Sequence, residues 1–143
     1  MIFSFLSAEE VDKITEVYNG NFSDGWNKEM LLSAFNGGRF YCLGIGDSDK
    51  LFGIITYSVA IDEADIEGIV TIKEHRGKGY AKALYEKVQT ELIGLGVKKV
   101  FLEVRESNIP AKSLYEKCGF KDISVRKNYY ADGENAVVMV KEL

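Results

Sequence analysis

A glycine-containing turn between a strand pattern and a helix pattern is the feature that most limits how this chain can fold. Residues 63–72 read EADIEGIVTI, which is typical of a strand, and the next residues read KEHRGKGYA. Beyond them, apolar residues recur every three or four positions, the spacing of a helix that packs on a sheet. These residues are Ala81, Leu84, Tyr85, Val88, Leu92 and Leu95. The junction therefore predicts a sheet covered by helices.

Further strand patterns lie on both sides of this junction. Residues 39–45 and 51–60 flank the polar turn GDSDK and predict a hairpin. Residues 98–106, KKVFLEVRE, alternate so that the two faces of the predicted strand differ in character. Residues 122–130 and 134–143 flank the turn ADGEN and predict a final pair of strands.

Three more helices are predicted. The first follows Ser7, which with Glu10 forms a capping-box pattern. The second begins near Asp24 and ends at Gly37 and Gly38, and the third ends at Gly119. The apolar face of the first helix holds Val11, Ile14, Val17 and Tyr18, and that of the third holds Ala111, Leu114, Tyr115 and Cys118. The order of elements predicts one α/β (α+β) domain over residues 1–143 with a mixed sheet.

Composition excludes several classes of function. The 143 residues are 46% hydrophobic and 28% charged, as in a soluble globular domain. The net charge of -4 leaves no broad basic face for nucleic acid. Cys42 and Cys118 are far apart and lack metal-ligand spacing, so we expect free thiols and no metal. Without a signal-peptide pattern or a membrane-span pattern, the sequence predicts a cytoplasmic protein that binds no membrane.

The segment RGKGYA allows two interpretations. Gly77 and Gly79 can simply make a tight connection between strand and helix. Alternatively, the free N–H groups at the helix start can hold a phosphate, with Lys78 and Lys82 adding positive charge. Neither the P-loop pattern nor a complete GxGxxG is present, which argues against both common nucleotide-binding motifs.

Three polar residues in the second half of the chain are candidates for chemistry. Glu103 lies in an apolar strand, where it can serve as a general base or pair with Arg105 or a neighbouring strand. Tyr115 can be a core residue or a proton donor, and Asn108 can cap a helix or bind a ligand. His75, the single histidine, has no partners spaced for a catalytic triad.

Taken together, RGKGYA, LEVRESN and LYEKCGF resemble the GCN5-related N-acetyltransferase superfamily. The superfamily pattern Q/R-x-x-G-x-G/A is met by Arg76, Gly79 and Ala81. Within it, DEADIEGIVTI and VRKNYYADGENAVVM are most similar to bacterial ribosomal-protein-alanine N-acetyltransferases. The resemblance implies an N-acetyltransferase fold in which a splayed pair of central strands binds coenzyme A.

The resemblance also implies a role for each matching position. Acetyl-CoA would be the co-substrate, with Glu103 as general base and Tyr115 as general acid. The acceptor would be the N-terminal amine, with alanine first, of a small-subunit ribosomal protein. The implied cofactor-binding residues are Ile69, Val70, Thr71, Arg76, Gly77, Lys78, Gly79, Tyr80, Ala81, Lys82 and Asn108.

Some positions depart from the family pattern. Family members commonly carry Asn where this chain has Gly68, Val where it has Thr71, and Asp-Pro where it has Ile72 and Lys73. The change at Gly68 bears on how an acceptor is positioned. Two other functions therefore stay open from the sequence: acetylation of a small-molecule amine, and a noncatalytic module that binds acyl-CoA.

Overall fold

A computed structural model describes residues 2–21 and 27–143 of the chain. These residues form one mixed sheet and four α-helices, which confirms the predicted fold class. The strands are Ile2–Leu6 (β1), Phe40–Gly46 (β2), Leu51–Ala60 (β3), Glu63–Thr71 (β4), Lys99–Arg105 (β5), Lys121–Arg126 (β6) and Ala136–Glu142 (β7). The helices are Val11–Asn21 (α1), Lys28–Asn36 (α2), Tyr80–Gly94 (α3) and Ile109–Lys117 (α4).

The sheet has the strand order β1-β2-β3-β4-β5-β7-β6. Neighbouring strands are antiparallel except β4 and β5, which are parallel because α3 connects them across one face. The predicted hairpin is confirmed by the antiparallel register of β2 and β3. The predicted final pair is also confirmed, as β6 and β7.

Helices cover both faces of the sheet and enclose two hydrophobic clusters. On one face, α3 contributes Leu84 and Val88 and α4 contributes Tyr115 to the larger cluster. On the other face, α1 contributes Ile14 and α2 contributes Leu31. Cys42 and Cys118 are both buried free thiols, one in each cluster, as predicted.

The helix starts follow the predicted capping chemistry in part. Ser7 and Glu10 form the expected capping box, ahead of a short 3₁₀ turn that leads into α1. In α2 the Asn27 side chain accepts a hydrogen bond of 2.8 Å from the Met30 N–H, so the helix begins at Lys28. The predicted start near Asp24 lies in residues 22–26, outside the described part of the chain.

The sequence prediction missed β1. This strand has only five residues, and its position depends on pairing with β2, about forty residues further along the chain. A pattern that short is not distinctive in a single sequence. Among residues 2–21 and 27–143, the structure contains no helix with the length and apolar character needed to cross a membrane.

Candidate active site

The sheet opens at its centre, where β4 and β5 separate. Parallel pairing runs from Glu63 opposite Lys99 to Ile66 opposite Leu102 and then ends. Beyond that point β4 follows β3, with an irregularity in register beside Glu67, and β5 follows β7. In the described part of the chain no strand fills the gap. Backbone groups on the facing edges of the two strands are therefore available to a ligand.

The loop between β4 and α3 has an open outer surface. Gly77 and Gly79 have φ angles of 78° and 82°, which glycine adopts without strain. A Cβ atom at either position would meet no atom within 4 Å. Across the described residues, the N–H groups from Gly77 to Lys82 have no hydrogen-bond acceptor in the protein. The loop and the positive end of the α3 dipole thus suit an anion.

Contacts with neighbouring strands hold this loop in place. The Arg76 Nε atom donates a hydrogen bond of 3.0 Å to the Thr71 carbonyl oxygen at the end of β4. His75 stacks on Phe52 of β3 with ring centroids 4.0 Å apart, and Tyr80 lies 5.4 Å from the same ring. His75 therefore has a packing role in the structure. The residues on either side of Gly77 and Gly79 are therefore held in place, and the two glycines stay accessible to a ligand.

Glu103 projects from β5 into a cleft on the face of the sheet that carries α1 and α2. Its Oε1 atom lies 3.5 Å from Nε of Arg126 in β6. Tyr129 lines the same cleft, and the interaction of its hydroxyl with the Glu103 carboxylate, followed by partial burial, raises the pKa of Tyr129. Glu103 is thus held from two directions, with 28% of its side chain exposed to solvent.

Arg105, the other arginine considered as a partner of Glu103, forms ion pairs with carboxylates of the β6–β7 loop. Arg105 NH1 contacts Asp132 and Glu134, each at 2.8 Å, and its guanidinium lies 4.1 Å from the centre of the Tyr130 ring. Arg105 therefore braces the β6–β7 loop. The pKa of Glu134 is lowered first by the Ser107 side chain, then by Arg105, and then by the Ser107 backbone N–H, which donates a hydrogen bond of 2.8 Å to the carboxylate.

Two more carboxylates on β4 face the same cleft. Desolvation, followed by the nearby Glu103 and Glu63 charges, raises the pKa of Asp65. Desolvation, followed by the Asp65 and Glu103 charges, raises the pKa of Glu67 against the opposing effect of a 2.8 Å hydrogen bond from Ser58. The wall of the cleft formed by β4 and β5 is therefore strongly acidic.

The cleft is large enough for the end of a peptide. Its volume is about 610 Å³, and Arg126 supplies its one basic side chain among the described lining residues. Acidic walls attract a cationic acceptor such as an amine. The lining consists of Met30, Asp65, Ile66, Glu67, Phe101, Leu102, Glu103, Arg126, Tyr129, Tyr130 and Val138.

The structure places Tyr115 and Glu103 on opposite faces of the sheet. Tyr115 lies in α4 and packs against Phe120 with ring centroids 6.0 Å apart, in the cluster under α3 and α4. Burial raises the pKa of Tyr115 above its usual value. The phenol therefore keeps its proton at neutral pH. The two side chains can act together only through the gap between β4 and β5.

Asn108 is the N-cap of α4. Its Oδ1 atom accepts a hydrogen bond of 3.2 Å from the Ala111 N–H, and Pro110 occupies the first turn, as the sequence predicted. This capping interaction leaves the side-chain amide nitrogen for other contacts.

Sequence reasoning missed several residues of the cleft. The strict alternation of Glu63, Asp65 and Glu67 in the β4 pattern was a signal that one strand face is acidic. Tyr129 and Tyr130 lie in the segment VRKNYYADGENAVVM, which carries part of the family resemblance. Arg126 gave no local signal, since its proximity to Glu103 depends on the order of three strands.

The opened sheet and the glycine loop are the features that the family resemblance implied. Residues 11–120 match the sequence pattern of the acetyltransferase (GNAT) family, and the chain belongs to that family. It is an enzyme of the N-acetyltransferase class, as the sequence predicted.

One sequence relative and two solved structures match nearly the whole length of this chain. The [ribosomal protein bS18]-alanine N-acetyltransferase of Haemophilus influenzae is 33% identical over 142 residues, covering 96% of each chain. The crystal structure of the ribosomal-protein-S18-alanine N-acetyltransferase from Escherichia coli matches with a TM-score of 0.91 and 28% identity, over 99% of this chain and 92% of that one. Arabidopsis thaliana NAA60 in complex with acetyl-CoA shares the fold, with a TM-score of 0.88 and 19% identity over 99% and 98% of the two chains.

Proposed function

We propose that this enzyme acetylates the N-terminal α-amino group, with alanine as first residue, of a small-subunit ribosomal protein in the cytoplasm. The observation that carries the proposal is the Glu103 carboxylate. It lies between Arg126 and Tyr129 in an acidic cleft, at the point where β4 and β5 separate. The relatives at 33% and 28% identity, whose names specify this reaction, support the choice of acceptor.

The residues of the glycine loop fit acetyl-CoA, which supplies the activated acetyl group. The unpaired N–H groups of Gly77, Lys78, Gly79, Tyr80, Ala81 and Lys82 suit the pyrophosphate, because they form an open, positively polarised surface. Lys78 and Lys82 add charge at the rim. Main-chain groups of Ile69, Val70 and Thr71 on the free edge of β4 would hold the pantetheine arm. Arg76 would brace the loop through its bond to Thr71, and Asn108 would contact the cofactor from α4.

The acidic cleft would hold the acceptor and prepare its amine. An α-amino group has an ordinary pKa of about 8, so at neutral pH it arrives mostly as a cation. The Asp65, Glu67 and Glu103 carboxylates attract that cation. Glu103 would accept the proton that the amine must lose before it can act as a nucleophile.

Tyr115 would deliver a proton from the other face of the sheet to the coenzyme A thiolate that leaves when the amine takes the acetyl group. A phenol with an ordinary pKa of about 10 is protonated at neutral pH, and burial raises the pKa of Tyr115 further. A protonated donor on one face and a carboxylate on the other allow the proton to be taken and given at separate positions across the gap. This arrangement suits direct transfer, since no acyl group needs to be carried on the enzyme.

The test is an acetylation assay that compares acceptors under identical conditions. We expect rapid transfer to a peptide that begins with alanine and carries the basic residues of a ribosomal protein. We expect no transfer to the same peptide with a blocked N-terminus, even when it contains lysine. Higher kcat/KM for a polyamine, an amino acid or an aminoglycoside would refute the proposal and assign a small-molecule acetyltransferase. Tight binding of acetyl-CoA without turnover of any acceptor would assign a binding module.

A further inference from the structure

The two edges of the sheet are built differently. β6 carries Lys121, Asp122 and Arg126, and its register with β7 shifts between Asp122 and Ser124. Charges and bulges of this kind keep an edge strand from pairing with another chain. β1 has the sequence IFSFL, with no charge and no proline, and its register with β2 is regular throughout. β1 therefore lacks the features that protect β6.

The apolar side chains of β1 are exposed. Ile2 is 55% exposed, Phe3 38% and Phe5 50%. Phe3 and Phe5 lie on the sheet face covered by α3, Phe3 beside its first half and Phe5 beside its end. Leu95, just after α3, is 55% exposed and extends this surface. Among the described residues, the β1 edge of the sheet is thus both unpaired and apolar.

We propose that β1 pairs in antiparallel orientation with β1 of a second copy of this chain, so that one sheet continues through a two-fold dimer. The sequence IFSFL has the same apolar pattern in both directions. Antiparallel pairing centred on Ser4 sets Phe3 opposite Phe5 of the second copy and Ile2 opposite Leu6. A two-fold interface requires such self-complementarity. Aromatic pairs across neighbouring strands stabilise the pairing.

The charges of α3 do not oppose this dimer. Two copies with a net charge of -4 repel each other in general. Along the flank of α3 beside β1, however, the charges are paired within the helix, Lys82 with Glu86 at 4.0 Å and Lys87 with Glu91 at 3.9 Å. This flank therefore carries no net charge and adds nothing to the repulsion between two copies.

The exposed area indicates how tight the dimer is. With about 200 Å² for each fully exposed side chain of this size, Ile2, Phe3, Phe5 and Leu95 offer about 400 Å² of apolar surface per copy. A standard interface buries about 800 Å² per partner, and the β1 backbone and α3 side chains supply the remainder only in part. We therefore expect a dimer with a dissociation constant in the micromolar range.

Sedimentation equilibrium of the full chain tests the dimer directly. For the wild type we expect the mass to rise with concentration from 16.0 kDa to twice that value. Phe5→Lys places a charge on the open edge, and we expect it to weaken association at least tenfold. Ile123→Lys is the matched control, because Ile123 is also an exposed apolar residue on an edge strand, 53% exposed in β6. We expect that control to associate like the wild type.

A cross-link tests the register without relying on affinity. Ser4→Cys lies on the proposed axis, where directly opposed Cβ atoms are about 5 Å apart, so mild oxidation should give a disulfide-linked dimer. Ser124→Cys, exposed in β6, is the control, and both native cysteines are buried. The proposal fails if the wild type stays monomeric at about 500 μM. It also fails if Phe5→Lys and Ile123→Lys weaken association equally. A β1 strand that pairs only with a segment of another protein would contradict it as well.

Discussion

Arg126 and Glu103 lie two strands apart in the sheet, yet the Arg126 Nε atom is only 3.5 Å from Glu103 Oε1. The side chains reach each other over β7, which contributes Val138 to the floor of the same cleft. Tyr129, in the β6–β7 loop, interacts with the same carboxylate and lines the same cleft. The proposed base is therefore positioned by a strand and a loop that follow it in sequence.

The role of Glu103 predicts a pH-dependent loss of activity. Glu103→Gln should lower kcat/KM at neutral pH by about 100-fold or more, since the amine loses its proton acceptor. The loss should partly recover near pH 9, because an α-amino group with a pKa of about 8 then deprotonates unaided. Glu106→Gln, an exposed carboxylate outside the cleft lining, is the control. Unchanged turnover in Glu103→Gln at neutral pH would remove the base assignment.

The glycine loop predicts a binding defect separate from stability. Gly79→Ala and Gly96→Ala replace glycines at opposite ends of α3, with φ angles of 82° and 81° and no atom within 4 Å of the new Cβ. Each should cost about 1–2 kcal/mol of unfolding free energy through backbone strain. Calorimetric titration with coenzyme A should show at least tenfold weaker binding only for Gly79→Ala. Equal affinity of both variants for coenzyme A would indicate that the loop is only a structural turn.

Removing one carboxylate from the acidic wall should raise the stability of the fold and weaken the binding of the acceptor. The pKa of Glu67 is raised, so the folded state binds its proton more tightly than the unfolded state. Its contribution to stability is present at low pH and lost as pH rises through the raised value. Glu67→Gln should therefore be slightly more stable than the wild type at pH 7, by less than about 1 kcal/mol, and equal to it near pH 4.

The same Glu67→Gln variant should bind the acceptor less well. Removing one negative charge should raise the KM of a cationic peptide several-fold and leave kcat nearly unchanged. Glu116→Gln, on the exposed side of α4, provides the control for the loss of one charge. A fall in kcat with unchanged KM would show that Glu67 acts in the chemical step.

Two buried tyrosines allow a matched comparison of hydroxyl groups. Tyr115→Phe should lower kcat by about 10- to 100-fold while coenzyme A affinity stays the same, because it removes the proposed proton donor. The Tyr85 hydroxyl is buried and has no hydrogen-bond partner in the described residues. Tyr85→Phe should therefore keep full activity and raise the unfolding free energy by about 1 kcal/mol. Equal activity of both variants would contradict the role of Tyr115.

The glycine at position 68 predicts a coupling with Tyr18. A Cβ at Gly68 would lie 2.5 Å from the Tyr18 hydroxyl oxygen, which is hydrogen-bonded to Thr56 at 2.6 Å. Gly68→Ala should destabilise the fold by about 1–3 kcal/mol. The double variant with Tyr18→Phe should lose less unfolding free energy than the two single variants lose together, because Tyr18→Phe removes the atom that clashes with the new Cβ. Thermal denaturation measures these losses. Strict additivity would show that the Tyr18 hydroxyl is not the obstacle.

The same packing bears on position 68, where the family resemblance implies Asn and this chain has Gly68. The Tyr18 side chain, fully buried on α1, occupies the space beside that position. Any side chain at position 68 would therefore have to displace Tyr18.

Local patterns predicted the elements that depend on near neighbours in sequence. The α3 helix, the β2–β3 hairpin, the Ser7–Glu10 capping box and the Asn108 cap agree with the prediction, since spacing and side-chain bonds within a few residues determine them. The strand β1 was missed because its partner is remote in sequence. The roles assigned to Glu103, Tyr115 and the glycine loop came from the family resemblance, and they remain predictions.

By itself the sequence determined the fold class, the family and the glycine loop, because periodicity and short motifs are properties of consecutive residues. Only the tertiary structure decided which groups meet. It placed Arg126 beside Glu103, added Asp65 and Glu67 to the same cleft, and set Tyr115 on the opposite face. The physical reason is that strand order and strand separation set these distances, and both result from packing between residues far apart in the chain.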